Sequence, residues 1–205
     1  MNVNTNTWNK IRYTLYTPVY DLIAGYIKNS RKKSVDSLDI KAGDKVLIIG
    51  AGTGLDLEFL PKDCEIIATD ITPSMVERIK KRNQRLNRQV QAIIMDGQVL
   101  DFADNSFDKI ILHLVLAVIP GPIACITESE RVLKHGGQIA VFDKFVRKGK
   151  KVSAFRRFVN VFTNFLFSDI TRDFETIANN SGLTILSDED ANFNGHFRLI
   201  KMKKE

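Results

Sequence analysis

Three glycines at alternate positions, Gly50, Gly52 and Gly54, stand directly after the apolar run Val46-Leu47-Ile48-Ile49. An acid, Asp70, closes a second apolar run, Ile66-Ile67-Ala68-Thr69. Glycines here let the backbone bend sharply and let a ligand approach with no Cβ in the way. The amphipathic segment that follows (Leu55, Leu57, Phe59, Leu60) reads as a helix, whose first amides would offer donors to a polar or anionic ligand. Asp70 lies 20 residues beyond Gly50. A carboxylate at the end of a second strand can accept both hydroxyls of a ribose. The chemistry implied is the binding of a nucleoside-bearing cofactor.

The glycine spacing separates the candidate cofactors. The dinucleotide fingerprint is G-x-G-x-x-G. Here the order is Gly50-Ala51-Gly52-Thr53-Gly54, with Leu55 where the third dinucleotide glycine belongs. This pattern resembles the first motif of the class I S-adenosylmethionine-dependent methyltransferases. Four further segments are similar to that family in order and spacing: Asp70-Ile71-Thr72-Pro73-Ser74-Met75, Met95-Asp96-Gly97, Ser106 to Ile111, and Glu130 to Gly137, where His135 replaces the usual proline. The resemblance covers roughly residues 38 to 205. It implies S-adenosylmethionine as cofactor, with Gly50, Ala51, Gly52 and Gly54 around it. It implies Asp70 and Ile71 at the ribose, Met75 against the adenine, and Asp96 and Gly97 at the adenine edge. One departure stands out. The family carries Glu or Asp two residues before the first glycine, and this chain has Ile48. A nearby acid such as Asp56, or a helix-borne group from the N-terminal segment, would substitute.

With 205 residues, 44% of them hydrophobic, the chain suits one domain with a substantial core. No apolar run approaches the roughly 18 residues of a bilayer span, and the first residues lack the pattern of a signal peptide. Cys64 and Cys125 form no disulfide framework and read as buried thiols. His113, His135 and His196 have no metal-ligand spacing, so no metal is expected. A cytoplasmic location follows, with peripheral attachment to the inner face of the membrane as a further option. The net charge of +6 favours an anionic partner or surface. Nucleic acid is not expected as that partner, because no added RNA-binding module is visible and His113-Leu114-Val115-Leu116 stands where a catalytic tetrapeptide for nucleic-acid methylation would lie. The sequence is silent on oligomeric state.

The elements that must position these residues follow from periodicity. Residues 1–37 read as a helical cap, either two short helices or one kinked at Pro18. Its Arg31-Lys32-Lys33 run reads equally as a basic surface or a solvated helix end. Strands are expected near 45–49, 65–69, 91–95, 108–114 and 138–143, and helices near 55–60, 73–86, 122–134 and 171–181. This alternation predicts an α/β fold, a Rossmann-like, doubly wound and mostly parallel sheet. Residues 183–186 and 197–202 read as two strands joined too briefly for a crossover, so they pair antiparallel at the C-terminal end.

Residues 144–168 contain seven bases and no acid, with Phe155, Phe158, Val159, Phe162, Phe165 and Leu166 at helical spacing. This insert would pack on the core, dock on an anionic membrane, or enclose an apolar substrate. Methyl transfer needs mainly proximity and alignment. His113, at the end of the fourth strand, reads as a candidate general base and cofactor contact or, equally, as a packed core histidine. Tyr16 and Tyr20 in the cap are candidates to orient an amine or a cation. The apolar stretch Leu112 to Pro120, with Ala140 to Phe145 and Pro18 to Asp21, resembles small bacterial phosphatidylethanolamine N-methyltransferases and, more loosely, quinone-biosynthesis methyltransferases. The resemblance implies a lipid amine as acceptor. A soluble quinol, thiol or amine acceptor, or a non-catalytic cofactor-binding protein, are the alternatives.

Overall fold

The computed structural model describes residues 5–16, 27–146, 169, 171–191 and 197–205. The elements are α1 (Asn6–Tyr16), α2 (Lys28–Ser37), β1 (Lys45–Ile49), a single 3-10 turn (Leu55–Phe59), β2 (Glu65–Asp70), α3 (Pro73–Leu86), β3 (Val90–Ile94), β4 (Phe107–His113), α4 (Pro122–Val132), β5 (Leu133–Lys144), α5 (Phe174–Ala178), β6 (Leu183–Asp190) and β7 (Phe197–Lys204). The strands form one sheet in the order β3-β2-β1-β4-β5-β7-β6. The first five strands pair in parallel, and β7 runs antiparallel to both β5 and β6. The expected doubly wound sheet with a reversed C-terminal strand is borne out.

Alternation along the strands explains the two layers of helix. Leu47, Ile49, Ile67, Ile110, Leu112, Ile139 and Val141 point to one face, where they meet Cys125, Ile126 and Val132 of α4 and Phe174 and Ile177 of α5. Val46, Ile48, Ile66, Ala68, Ile111 and Ala140 point to the other, where they meet Val35 of α2, Leu57 of the 3-10 turn and Ile79 of α3. Successive side chains of a strand face opposite ways, so an unbroken apolar run needs cover on both faces.

Several boundaries differ from expectation. The segment after the glycines makes only a 3-10 turn, because Gly54 is left-handed at φ 78 and Leu60 is already extended. β5 begins at Leu133, earlier than expected, with a register shift against β4 between Phe107 and Lys109. The last helix is confined to Phe174–Ala178, its start capped by Asp173, which accepts from the Thr176 amide. Pro18, where two short helices or one kinked helix are expected, falls outside the described residues, as does the expected insert from 147 to 168. Of that insert's beginning, Lys144 closes β5, and Phe145 and Val146 are buried.

The Arg31-Lys32-Lys33 run divides. Lys32 and Lys33 are exposed and pair with Asp36 and Glu189. Arg31 turns inward, and its Nη1 donates to both Asp56 carboxylate oxygens at 2.9 and 2.8 Å. His113 Nδ1 lies 2.9 Å from Asp56 Oδ1, and its Nε2 lies 2.9 Å from Ser34 Oγ. One buried cluster thus ties α2, the 3-10 turn and the end of β4. Burial alone would raise the Asp56 carboxyl; Arg31 and His113 outweigh it and hold it well below the usual carboxylate range.

Removing one partner of such a buried pair strands the others. Asp56→Ala is therefore expected to cost about 3–5 kcal/mol in urea unfolding at neutral pH. Because the folded carboxyl is depressed, its contribution is present above the unfolded value near about pH 4 and is lost as pH falls below it. The variant should lack that part of the acid destabilisation. A wild-type midpoint with an unchanged acid limb would show that the cluster does not hold α2 to the sheet.

Candidate functional site

The glycine turn leaves β1 with Gly50 at φ 65, in the left-handed region. A Cβ built on Gly50 would stand 2.6 Å from Val115 Cγ2, so both the conformation and the close approach require glycine. The turn is stitched to the end of β2. The Ala51 amide donates to the Thr69 carbonyl at 2.8 Å, and the Gly52 amide donates to Asp70 Oδ2 at 2.9 Å. The other oxygen, Asp70 Oδ1, accepts from the Thr72 amide at 2.8 Å. Asp70 thus spans two turns with its two oxygens. Burial pushes its carboxyl above the usual range, against the pull of the Thr72 and Gly52 amides.

Past the end of β3, Asp96 is the second carboxylate of the region. Its Oδ1 accepts from the Gln98 amide at 3.0 Å, and the Gln98 side chain donates to both oxygens. Its Oδ2 accepts from Asn6 Nδ2 at 2.6 Å, a contact across 90 residues that docks α1 on this edge. One turn along α1, Asn9 Nδ2 donates to the Val118 carbonyl at 2.9 Å. α1 therefore bridges the loops after β3 and β4.

Between these walls lies a cleft of about 640 Å³. Gly50, Gly52, Asp70, Ile71, Met75, Asp96 and Gly97, all expected from the sequence, line it together. Thr72 of the same motif, Tyr13 of the cap and residues of the apolar stretch from Leu114 to Pro120 line it as well, and Asn6 and Asn9 are lining residues that the motifs did not indicate. Asn6, Asn9 and Tyr13 are spaced three and four apart, so a polar helix stripe was the available signal. The apolar wall is held from behind: the Ala117 amide donates to buried Asp143 at 2.8 Å. Leu114 is in the left-handed region at φ 58, rare for a branched side chain, and lines the cleft.

Other expected site residues lie elsewhere. Ala51 is buried in the core on the α2 and α3 face. Gly54 packs against Leu57 and Ile79. His113, expected to act as a base or to touch the cofactor, does not line the cleft. Its side chain is 1% exposed, and both ring nitrogens are engaged by Asp56 and Ser34. Tyr16 is the last residue of α1, with its side chain outside the description, and Tyr20 lies outside the described residues. Ile48, in place of the family acid, is buried among apolar side chains, and Asp56 stands on the same face, held by Arg31 and His113.

The family model described as a methyltransferase domain matches residues 47–141, which run from β1 to β5 and include both carboxylates. The chain is a class I S-adenosylmethionine-dependent methyltransferase. Among curated relatives, this methyltransferase is 25% identical over 150 residues to the phosphatidylethanolamine N-methyltransferase of Cereibacter sphaeroides, covering 72% of this chain and 74% of that one. It is 32% identical over 130 residues to the demethylmenaquinone methyltransferase of Paenarthrobacter aurescens, covering 60% of this chain and spanning 50% of the relative's length. The YcgJ protein from Bacillus subtilis shares the fold at a TM-score of 0.72 and 18% identity, covering 86% of this chain and 98% of that one.

In this methyltransferase, Asp70 accepts from both the Gly52 and Thr72 amides. Asp70→Ala should weaken S-adenosylmethionine binding by about 1–3 kcal/mol, the scale of leaving buried polar groups unpaired. Titration calorimetry reads this directly, and wild-type affinity would show that the carboxylate does not serve the cofactor.

Proposed function

We propose that this enzyme methylates the amine of a phospholipid headgroup at an anionic membrane surface. The observation that carries the reading is the orientation of α1. Its polar residues Asn6, Asn9 and Tyr13 face the cleft, while Ile11 and Leu15, 50% and 70% exposed, face outward one turn apart. Trp8 is half-buried three residues before Ile11, and Lys10 beside it is exposed. A helix that turns apolar side chains to solvent at the mouth of its own cleft is suited to the boundary between headgroups and acyl chains. The similarity to a phosphatidylethanolamine N-methyltransferase points the same way. Among the described residues no helix is long and apolar enough to cross a membrane, so the association proposed is peripheral.

The cleft fits the cofactor that the family implies. A nine-tenths buried carboxylate, Asp70, lines it beside the glycine turn, and Gly50 and Gly97 pack too closely on Val115 and Ile49 to carry a Cβ. On this reading Asp70 holds the ribose, with Ile71 beside it. Met75 packs on the adenine, and Asp96 and Gly97 meet its polar edge, with Asn6 and Gln98 orienting the Asp96 carboxylate. When bound, S-adenosylmethionine supplies a methyl group on a sulfonium. The protein's share is alignment and exclusion of water. An amine must be neutral to attack, and Leu114, Val115, Val118, Ile119 and Pro120 form a wall that disfavours an ammonium ion by desolvation. His113 then acts as a positioning residue: through Asp56 and Ser34 it fixes the end of β4, from which Leu114 enters the cleft.

Identity of 32% to a demethylmenaquinone methyltransferase favours a second reading, carbon methylation of a membrane quinol, which the same apolar wall would admit. Labelled S-adenosylmethionine, offered with vesicles of phosphatidylethanolamine and phosphatidylglycerol or with demethylmenaquinol in detergent, separates the two. Label in the phospholipid is expected; label in the quinol alone would transfer the assignment to the second reading. Replacing Ile11 and Leu15 with serine should lower transfer to vesicles severalfold and leave S-adenosylmethionine affinity unchanged. Full transfer by that variant would remove α1 from membrane docking.

A further inference from the structure

We propose that a hollow between the glycine turn and α3 is a binding site for a phosphate group, separate from the cofactor cleft. Arg78, Lys81, Arg82 and Arg85 recur at i, i+3, i+4 and i+7 along α3 and so share one face. With Thr53 they line a hollow of about 460 Å³, none of whose lining residues lines the cofactor cleft.

Arg82 makes this more than a solvated stripe. It is only 8% exposed, and its Nε donates to the Thr53 carbonyl at 2.9 Å while Nη1 donates to Glu58 at 3.0 Å. The guanidinium is therefore set in place before any ligand arrives. Glu58 is heavily shared, with Lys28 at 3.1 Å and Arg85 at 3.9 Å as further partners. Arg78 and Lys81 are exposed, and no acid pairs with either among the described residues. Arg78 and Lys81 thus face the hollow beside Arg82 and Arg85, with which Glu58 pairs among the described residues.

A surface helix normally interleaves acids at such spacing. Like charges three or four residues apart destabilise it, and α3 carries four such pairs on this face (78 with 81, 78 with 82, 81 with 85, 82 with 85). An anion seated among them relieves that repulsion. The exposed guanidinium groups of Arg78 and Arg85 and the Lys81 ammonium, arranged around the fixed Arg82, suit a tetrahedral oxyanion, whose several oxygens accept from different donors at once. The chemistry recognised is a phosphate group, whether on a lipid headgroup or on a soluble phosphorylated compound. The site is independent of which acceptor the enzyme methylates.

The test uses the full chain. Binding of inorganic phosphate and of glycerol phosphate is measured by calorimetry, and binding to phosphatidylcholine vesicles with and without phosphatidylglycerol by co-sedimentation. Arg78→Glu with Arg85→Glu should lower affinity for the phosphate-bearing probe about tenfold or more, and Arg78→Gln with Arg85→Gln by an intermediate factor. Lys41→Glu with Lys62→Glu, the same change in net charge at exposed positions outside the hollow, should have less than about a twofold effect. All three variants should keep wild-type affinity for S-adenosylmethionine, which reports an intact fold. Binding of the soluble probes identifies a soluble ligand, and binding confined to phosphatidylglycerol vesicles identifies a headgroup; either supports the site. An equal loss in the Lys41 and Lys62 variant, or no binding of any probe by the wild type, would overturn it.

Discussion

The buried carboxylate of Asp70 is the constraint on which the site depends. A turn of glycines has no side chains to lock it, so its amides must find fixed acceptors or the loop is lost to entropy. The parallel pairing of β1 with β2 places Thr69 and Asp70 beside that turn, and one backbone carbonyl and one carboxylate oxygen receive its amides. The second oxygen fixes Thr72, where α3 begins. Because the group is buried, its ionised form is costly. The two amides offset part of that cost and hold the carboxylate at the edge of the cleft.

A second polar cluster is buried on the α2 face. Ile48 leaves β1 apolar there, and the buried charge belongs to Asp56 on the 3-10 turn. Its partners come from two other elements, Arg31 from α2 and His113 from β4. The arrangement spends three ionisable side chains on joining helix to sheet. It also accounts for a histidine at the end of β4 that does not reach the cleft.

The cleft itself is chemically divided. One side carries the two carboxylates and the backbone amides of three turns; the other carries Leu114 to Pro120 and almost no polar side chain. α1 closes the space between them by two asparagines, one to each wall. That division suits a polar cofactor facing an apolar acceptor region. It also leaves the outer face of α1 to meet whatever lies beyond the molecule.

Local chemistry made much of this legible in the sequence. Alternate glycines after a β-branched run, an acid closing the next strand and the regular exchange of strand with helix are short-range features, and they determined the sheet, its reversed last strand and seven of the cleft residues. What lay beyond reach depended on contacts between distant elements. The direction of the His113 ring is decided by Asp56, 57 residues away, and by Ser34, 79 residues away. The burial of Arg31 is decided by the same carboxylate, although its neighbours Lys32 and Lys33 stay in water. The inverted face of α1 is set by Asp96 and Val118, not by the hydrophobic pattern of the helix, which by itself would have turned Ile11 and Leu15 inward. A sequence specifies backbone preference and alternation residue by residue, whereas the partner of a buried polar group exists only once the chain has folded, and that partner decides which way the side chain points.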